Sequence, residues 1–219
     1  GQGVLGFSPS IKNLLPDIQA FKPSVLLVVP RVLEKVYNAA SSKAGGGIKG
    51  RMFAWSAKRA RTYSLASEKT FGPGPFKKIR HGIADALVLK KIRSVLGPNL
   101  RYIVSGGAPL ATDLAHFYAG MGITLIQGYG LSETTGPIAV QHIGKNPVGG
   151  VGLPLPGNFI KIAKDGEILV RGQSVMPGYY HLPEQTAEVM PDGKWFHTGD
   201  LGSIDRKGQL TITGRKKEL

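Results

Sequence analysis

Glu133 is the only carboxylate between Asp113 and Asp165. It lies in Gln127-Gly-Tyr-Gly-Leu-Ser-Glu-Thr-Thr-Gly136, among glycines and hydroxyls. A lone acid in such company suits Mg²⁺, which takes one or two carboxylates and leaves its other positions to phosphate oxygens and water. The same acid equally suits the start of a helix, where the backbone dipole favours negative charge. Ser132 and Thr134 offer hydroxyl donors. Gly128 and Gly130 bracket Tyr129, an aromatic able to stack on a base. In a second segment, Ser105-Gly-Gly-Ala-Pro109, Gly106 and Gly107 let a flat ring or phosphate approach the main chain closely. A plain strand-to-helix turn would use the same residues. The third is Trp195-Phe-His-Thr-Gly-Asp-Leu-Gly202, followed by Thr213-Gly-Arg-Lys-Lys-Glu-Leu219. Asp200 can accept two hydrogen bonds from a ribose diol, and the planar fork of Arg215 can donate to ribose or phosphate. A turn cap and a solvated charge are the plainer readings of these two. His197 lacks triad or metal spacing and reads as structural.

These segments need elements to hold them. Ser24–Val29 is short and rich in β-branched residues, and it predicts a strand buried on both faces. Residues 31–43 follow as a helix. Residues 48–69 and 76–96 predict two more helices, split by Phe71-Gly-Pro-Gly-Pro75. Then come a strand at 101–104, a helix at 110–119 and a strand at 123–127. This is the alternation of an α/β sheet, whose ligands sit beyond the carboxyl ends of strands. After about residue 141 the grammar changes. Lys164-Asp165-Gly166 between residues 159–163 and 167–170 is a hairpin signal. Residues 195–198, 202–205 and 210–213 predict short strands, and Pro183 opens a short helix to Val189. The expected organisation is an α/β subdomain at 1–140, with a basic helical insertion at about 43–96, then a small antiparallel β subdomain at 141–213.

Composition narrows the classes. The 219 residues are 42% hydrophobic and 19% charged, which is globular. The absence of cysteine excludes a disulfide scaffold, a thiolate zinc site and a cysteine nucleophile. The longest apolar run, from Val25, is far too short to span a bilayer, and the N-terminus does not read as a signal peptide. The net charge of +14 is uneven: residues 1–100 hold 17 basic and 4 acidic side chains. Thirteen of the basic residues lie from Lys43 to Arg93. Such a field attracts phosphates, nucleic acid or an acidic membrane surface. The basic half carries no helix-turn-helix, zinc or RNA-recognition signature, so no nucleic-acid partner is expected.

Five pieces in register resemble the adenylate-forming (AMP-binding) superfamily of acyl-CoA synthetases. They are Ser105-Gly-Gly-Ala-Pro-Leu110, Gln127-Gly-Tyr-Gly-Leu-Ser-Glu-Thr134, Gly178-Tyr-Tyr with Pro183-Glu-Gln-Thr186, Trp195 to Gly202, and Gly214-Arg215 with Lys217. The upstream run from Lys22 to Tyr37, with the basic insertion, is most similar to the long-chain fatty-acid CoA ligases. The resemblance implies that a fatty acid is activated with ATP to an acyl-adenylate and then transferred to coenzyme A. It implies that Gly106, Gly107 and Ala108 line an adenine pocket, and that Tyr129 stacks on adenine with Gln127, Gly128 and Gly130 shaping the backbone. Ser132 would touch the α-phosphate, Glu133 would bind Mg²⁺, Asp200 would hold the ribose hydroxyls with Arg215 beside it, and Lys217 would lie at a hinge.

Two residues depart from the family pattern. Ser132 stands where Thr is commoner, which keeps the hydroxyl. Glu218 stands where the hinge usually has Asp. The family's upstream phosphate loop and its C-terminal lysine-bearing domain have no counterpart in these residues. The reading is therefore an internal fragment, inactive alone, with residues 214–219 opening the hinge. The parent is expected to be cytoplasmic, peripheral at the inner face of a membrane and in contact with anionic lipid through Lys43 to Arg93. Another adenylate-forming ligase, such as a medium-chain synthetase or an adenylation domain, is the alternative. A basic nucleic-acid-binding module is a more distant one.

Overall fold

The computed structural model describes residues 3–10, 12–144 and 147–216. They fall into two units, Gly1–Val104 with Leu110–Leu125, and Ser105–Pro109 with Ile126–Leu219. Together they form a mixed α/β fold with a sheet, helices and a separate antiparallel sheet.

In the first unit α1 is Leu14–Phe21, β1 Val25–Val28, α2 Pro30–Ala44 and α3 Gly47–Ser67. Next come α4 at Pro75–Ala84, a π turn at Asp85–Leu89 and α5 at Lys90–Leu96. Strand β2 is Tyr102–Ser105 and α6 is Thr112–Gly120. Pro30 takes the first helical position of α2, where its missing N–H costs nothing. Helix α3 buries Phe53, Ser56, Ala57, Ala60 and Ser64, a run at helical spacing. Its small residues let α6 approach backbone to backbone: a Cβ on Gly120 would collide with the Ala60 carbonyl. Leu33, Phe117 and Tyr118 fill the core, and the Tyr118 hydroxyl donates to the Leu33 carbonyl at 2.8 Å. Arg93 binds both oxygens of Asp85 across the π turn and also donates to the Met121 carbonyl at 2.7 Å.

The strand expected to be buried on both faces is not. Val25 is 52% and Leu27 78% exposed, while Leu26 and Val28 are half-buried. Its apolar composition suits either face of a sheet but does not say what covers them. Helix α1 and the π turn go beyond the sequence reading; α1 does carry a signal, with Asn13 at its N-cap and Pro23 just past its end, whereas the π turn leaves none in the residues.

The second unit contains most of β3, Thr124–Leu131, then β4 at Gly136–Val140 and β5 at Leu153–Pro154. These pair antiparallel, with Gly128 opposite Val140 and a bulge between Tyr129 and Gly130. Strands β6 Asn158–Ile162, β7 Glu167–Gly172, β8 Phe196–Ile204 and β9 Leu210–Arg215 form an antiparallel sheet in that order. Helix α7 is Pro183–Val189, the span the sequence predicts. The hairpin at Asp165-Gly166 is also borne out, with Gly166 at φ +87°. Ile138, Ala139, Val151, Ile168, Val170 and Leu210 form the core of this unit.

Two expectations are corrected. Residues 195–198 and 202–205 are not separate strands. Residues 196–198 and 202–204 both belong to β8, which runs through Gly199 at φ +72° and absorbs the irregularity in a bulge between Leu201 and Gly202. Likewise β3 does not stop at Gln127 but continues through the Gly-Tyr-Gly segment to Leu131.

Candidate active site

The sequence-predicted residues that the structure describes all lie in the second unit. Tyr129 sits on β3 and packs against the apolar core with part of its ring. Its hydroxyl donates to Asp200 Oδ2 at 2.7 Å. Burial pushes this phenol well above the ordinary tyrosine range, and the neighbouring carboxylate adds to that. Tyr129 is therefore a donor at any working pH.

Asp200 lies on β8 opposite Arg215 of β9. Its Oδ1 accepts from Arg215 Nε at 2.9 Å, and its own N–H donates to Thr198 Oγ1 at 3.1 Å. The Asp200 side chain is mostly buried, whereas that of Arg215 is 56% exposed. An ionised carboxylate offers about four lone-pair sites. Two are used here, so a vicinal diol can still be accepted.

The turn after β3 is Ser132–Thr134, a single 3₁₀ turn. Buried Thr134 holds it: its hydroxyl accepts the Leu131 N–H at 2.9 Å and donates to the Gly136 carbonyl at 2.8 Å. Around it Ser132 is exposed at the surface of the turn and Glu133 is half-buried. Glu133 Oε1 accepts from the Tyr179 hydroxyl at 3.0 Å. Burial, then the bond to Glu133, raises the Tyr179 phenol above its ordinary value. No cluster of three metal-ligating side chains exists among the described residues. Glu133 alone still fits Mg²⁺, because that ion keeps phosphate oxygens and waters as most of its ligands.

Gly106, Gly107 and Ala108 form the loop after β2, with Gly107 at φ +80° and both Gly107 and Ala108 exposed. A Cβ on Gly106 would lie 3.4 Å from the Gly128 carbonyl, so this loop runs close to β3. The hydroxyl of buried Ser105 has no hydrogen-bond partner among the described residues. Gln127 is buried. Its N–H donates to Gln141 Oε1 at 2.9 Å and its Nε2 to the Gly150 carbonyl at 3.3 Å. On Gly130 a Cβ would strike the Gly136 carbonyl, so the β3–β4 hairpin requires that glycine.

Residues 3–180 match the family of AMP-binding enzymes. The chain belongs to that family. It is 51% identical over 215 residues to the long-chain-fatty-acid–CoA ligase FadD15 of Mycobacterium bovis, covering 98% of this chain and 36% of that protein. It is 35% identical to long chain acyl-CoA synthetase 3 of Arabidopsis thaliana, covering 95% and 33%. Among solved structures it is similar to the anthranilate CoA ligase AuaEII in complex with anthranoyl-AMP, at TM-score 0.60 and 20% identity, covering 96% and 33%. The chain thus spans about a third of the length of the curated relatives it matches. The family resemblance read from the five motifs is borne out.

The chain also contains groups that sequence reasoning missed. Glu167, on β7, is buried and accepts the Gly199 N–H at 2.9 Å. It also binds His197 Nδ1 at 3.1 Å and Lys216 Nζ at 3.0 Å. Burial pushes its carboxyl up, but Lys216, the Gly199 N–H and His197 outweigh this and hold it below the usual glutamate range. Glu167 thereby fixes the residue before Asp200. Its position directly after the Asp165-Gly166 turn, at the head of a predicted strand, is the signal that was available. Tyr179 belongs to the Gly178-Tyr-Tyr motif, which by itself assigns it no role. Lys217 and Glu218 lie outside the described residues.

Proposed function

We propose that the protein is an ATP-dependent acid–thiol ligase for long-chain fatty acids, with this chain supplying its nucleotide-binding residues. The supporting observation is the chain of contacts Tyr129–Asp200–Arg215, which brings together an aromatic, a carboxylate and a guanidinium.

A fatty carboxylate is a poor acyl donor because its leaving group would be oxide. Its oxygen attacks the α-phosphorus of ATP, the bond to the bridging oxygen breaks, and pyrophosphate leaves. The sulfur of coenzyme A, having lost its proton to solvent, then attacks the acyl carbon and AMP departs. The protein positions reactants and meets developing charge. In this reading Tyr129 stacks on adenine along the Gly106-Gly107-Ala108 loop, with Gln127, Gly128 and Gly130 setting the backbone. Asp200 accepts the ribose hydroxyls. Arg215 holds Asp200 in register and donates to ribose or phosphate. Ser132 donates to the α-phosphate, and Lys217 lies at the hinge. Glu133 would hold Mg²⁺, which supplies positive charge to the phosphate oxygens when bound. The basic stretch from Lys43 to Arg93 supports a peripheral contact with an anionic membrane, where fatty acids reside.

The test is fatty-acid-dependent exchange of pyrophosphate into ATP by the intact protein, with Asp200→Ala as its comparison. Long-chain acids should drive exchange, and the variant should lose most of it. Exchange driven by short or aromatic acids alone would overturn the substrate assignment.

A further inference from the structure

Helix α4 (Pro75–Ala84) carries an apolar stripe on its outer side. Phe76, Ile79 and Ile83 are spaced by three and four residues, which places them on one face. All three are exposed, Phe76 at 81% and Ile79 at 62%, and Phe71 in the preceding loop is 99% exposed. The opposite side is the one that packs. His81 stacks on Tyr63 of α3 at 4.0 Å, its Nε2 meets the Gly120 carbonyl of α6 at 2.6 Å, and Ala84 is buried. The stripe is therefore presented by a helix firmly anchored from behind.

The charges around it run against helix stability. The first turns hold Lys77, Lys78 and Arg80 and no acid. A helix N-terminus favours negative side chains, so Lys77 and Lys78 near it cost stability. Arg80 flanks the stripe, while exposed Lys77 and Lys78 stand about 130° round the helix and reach a headgroup layer along their aliphatic stems. Exposed apolar side chains with cations on the same helix have a partner class that suits both features. An interfacial amphipathic helix buries its apolar side in the acyl boundary and sets its basic side against anionic headgroups. A second copy of this chain would bring like charges together, which disfavours it as the occupant.

We propose that α4 lies in the plane of an anionic bilayer, with Phe71, Phe76, Ile79 and Ile83 inserted and Lys77, Lys78 and Arg80 at the headgroups. This rests on the ligase reading for its biological purpose but not for its geometry. It narrows the basic stretch to one helix and assigns it an inserted face.

The experiment uses the intact protein with Phe76→Trp as a depth probe, mixed with phosphatidylcholine vesicles with and without phosphatidylglycerol. The expected result is flotation on the anionic vesicles only, a blue shift in the emission of the introduced tryptophan on binding, and its quenching by bromine-labelled acyl chains. Lys77→Gln/Lys78→Gln/Arg80→Gln should weaken binding by on the order of a hundredfold, from the loss of three headgroup contacts. Ile79→Ser/Ile83→Ser should abolish quenching. Circular dichroism checks that each variant folds. Binding by both variants as tight as the parent's, or adsorption without quenching, overturns the proposal. So does an introduced tryptophan already shielded without lipid, which would mean that another protein segment covers the stripe. Stripe-dependent dimers in lipid-free sedimentation would likewise overturn it. Pyrophosphate exchange on detergent-dispersed fatty acid is measured in parallel. Loss of exchange with intact flotation would refute the ligase reading alone, and the converse would refute only the docking.

Discussion

Tyr129 and Asp200, 71 residues apart in the chain, share a 2.7 Å hydrogen bond in which the phenol donates to the carboxylate. In the proposed nucleotide site the first would offer a ring for a base and the second an acceptor for a sugar. Their bond sets the spacing between the two. Tyr129→Phe keeps the ring and removes the donor, leaving the Asp200 carboxylate to be held by Arg215 alone. The expected outcome is a rise in KM for ATP by about five- to tenfold, worth about 1 kcal/mol, with the fold retained. Asp200→Ala should cost about a hundredfold, since the charged acceptor itself is lost. Steady-state kinetics with ATP as the varied substrate checks both.

Glycine to alanine should have opposite signs at two positions. Gly120 lies where α6 touches α3, and an added Cβ would meet Ala60 backbone atoms that have little room to move. Gly120→Ala should destabilise by about 1–3 kcal/mol. At Gly82, within α4, an added Cβ meets nothing within 4 Å. Gly82→Ala should stabilise by about 0.5–1 kcal/mol through the lower entropy of the unfolded chain. Paired thermal melts read the contrast directly.

Acid should loosen the first unit at Asp85. The bond from Arg93, opposed by burial and aided by the guanidinium charge, holds the Asp85 carboxyl below the usual aspartate range. A carboxyl depressed in the fold contributes stability above its unfolded value, about 3.9, and loses it as pH falls through the folded value. Asp85→Asn should therefore cost about 1 kcal/mol at neutral pH and flatten the acid limb of the stability profile. Urea titrations at several pH values measure this, and an unchanged acid limb would remove the pair as its cause.

Glu133→Gln keeps the acceptor for Tyr179 and removes the charge. If the carboxylate serves a divalent cation, pyrophosphate exchange should fall by about a hundredfold or more, and the Mg²⁺ needed for half-maximal rate should rise. Tyr179→Phe should change both only a few-fold. Magnesium titration of the exchange rate separates the two variants.

Local chemistry made some features readable from the residues alone. Asp165-Gly166 specifies a tight hairpin because glycine takes the positive φ that the turn needs, and Pro183 opens a helix whose first N–H is not required. Asp200 and Arg215 are readable as neighbours only through the family resemblance, because their pairing depends on the register of β8 with β9, which residue types alone do not give. Gly199 looks like a strand end in sequence, yet the ladder passes through it with the help of Glu167, 32 residues away. Leu27 reads as core in composition and stands exposed, since hydropathy describes a side chain and not its cover. What escaped the sequence was long-range register and the partners it brings.

The π turn between α4 and α5 carries a mechanical consequence. In a regular α-helix, residues eight apart are about 12 Å apart along the axis and about 80° out of line. Asp85 and Arg93 are eight apart and nonetheless clasp through both carboxylate oxygens. The widened turn makes that clasp possible, and the clasp in return keeps the turn wide. The pair is a lock on rotational phase. Loosening it would let the rod relax towards even winding and turn α4 about its own axis. The bearing of Phe76, Ile79 and Ile83 is then held jointly by the His81 contacts behind them and by an ion pair that lies outside their helix.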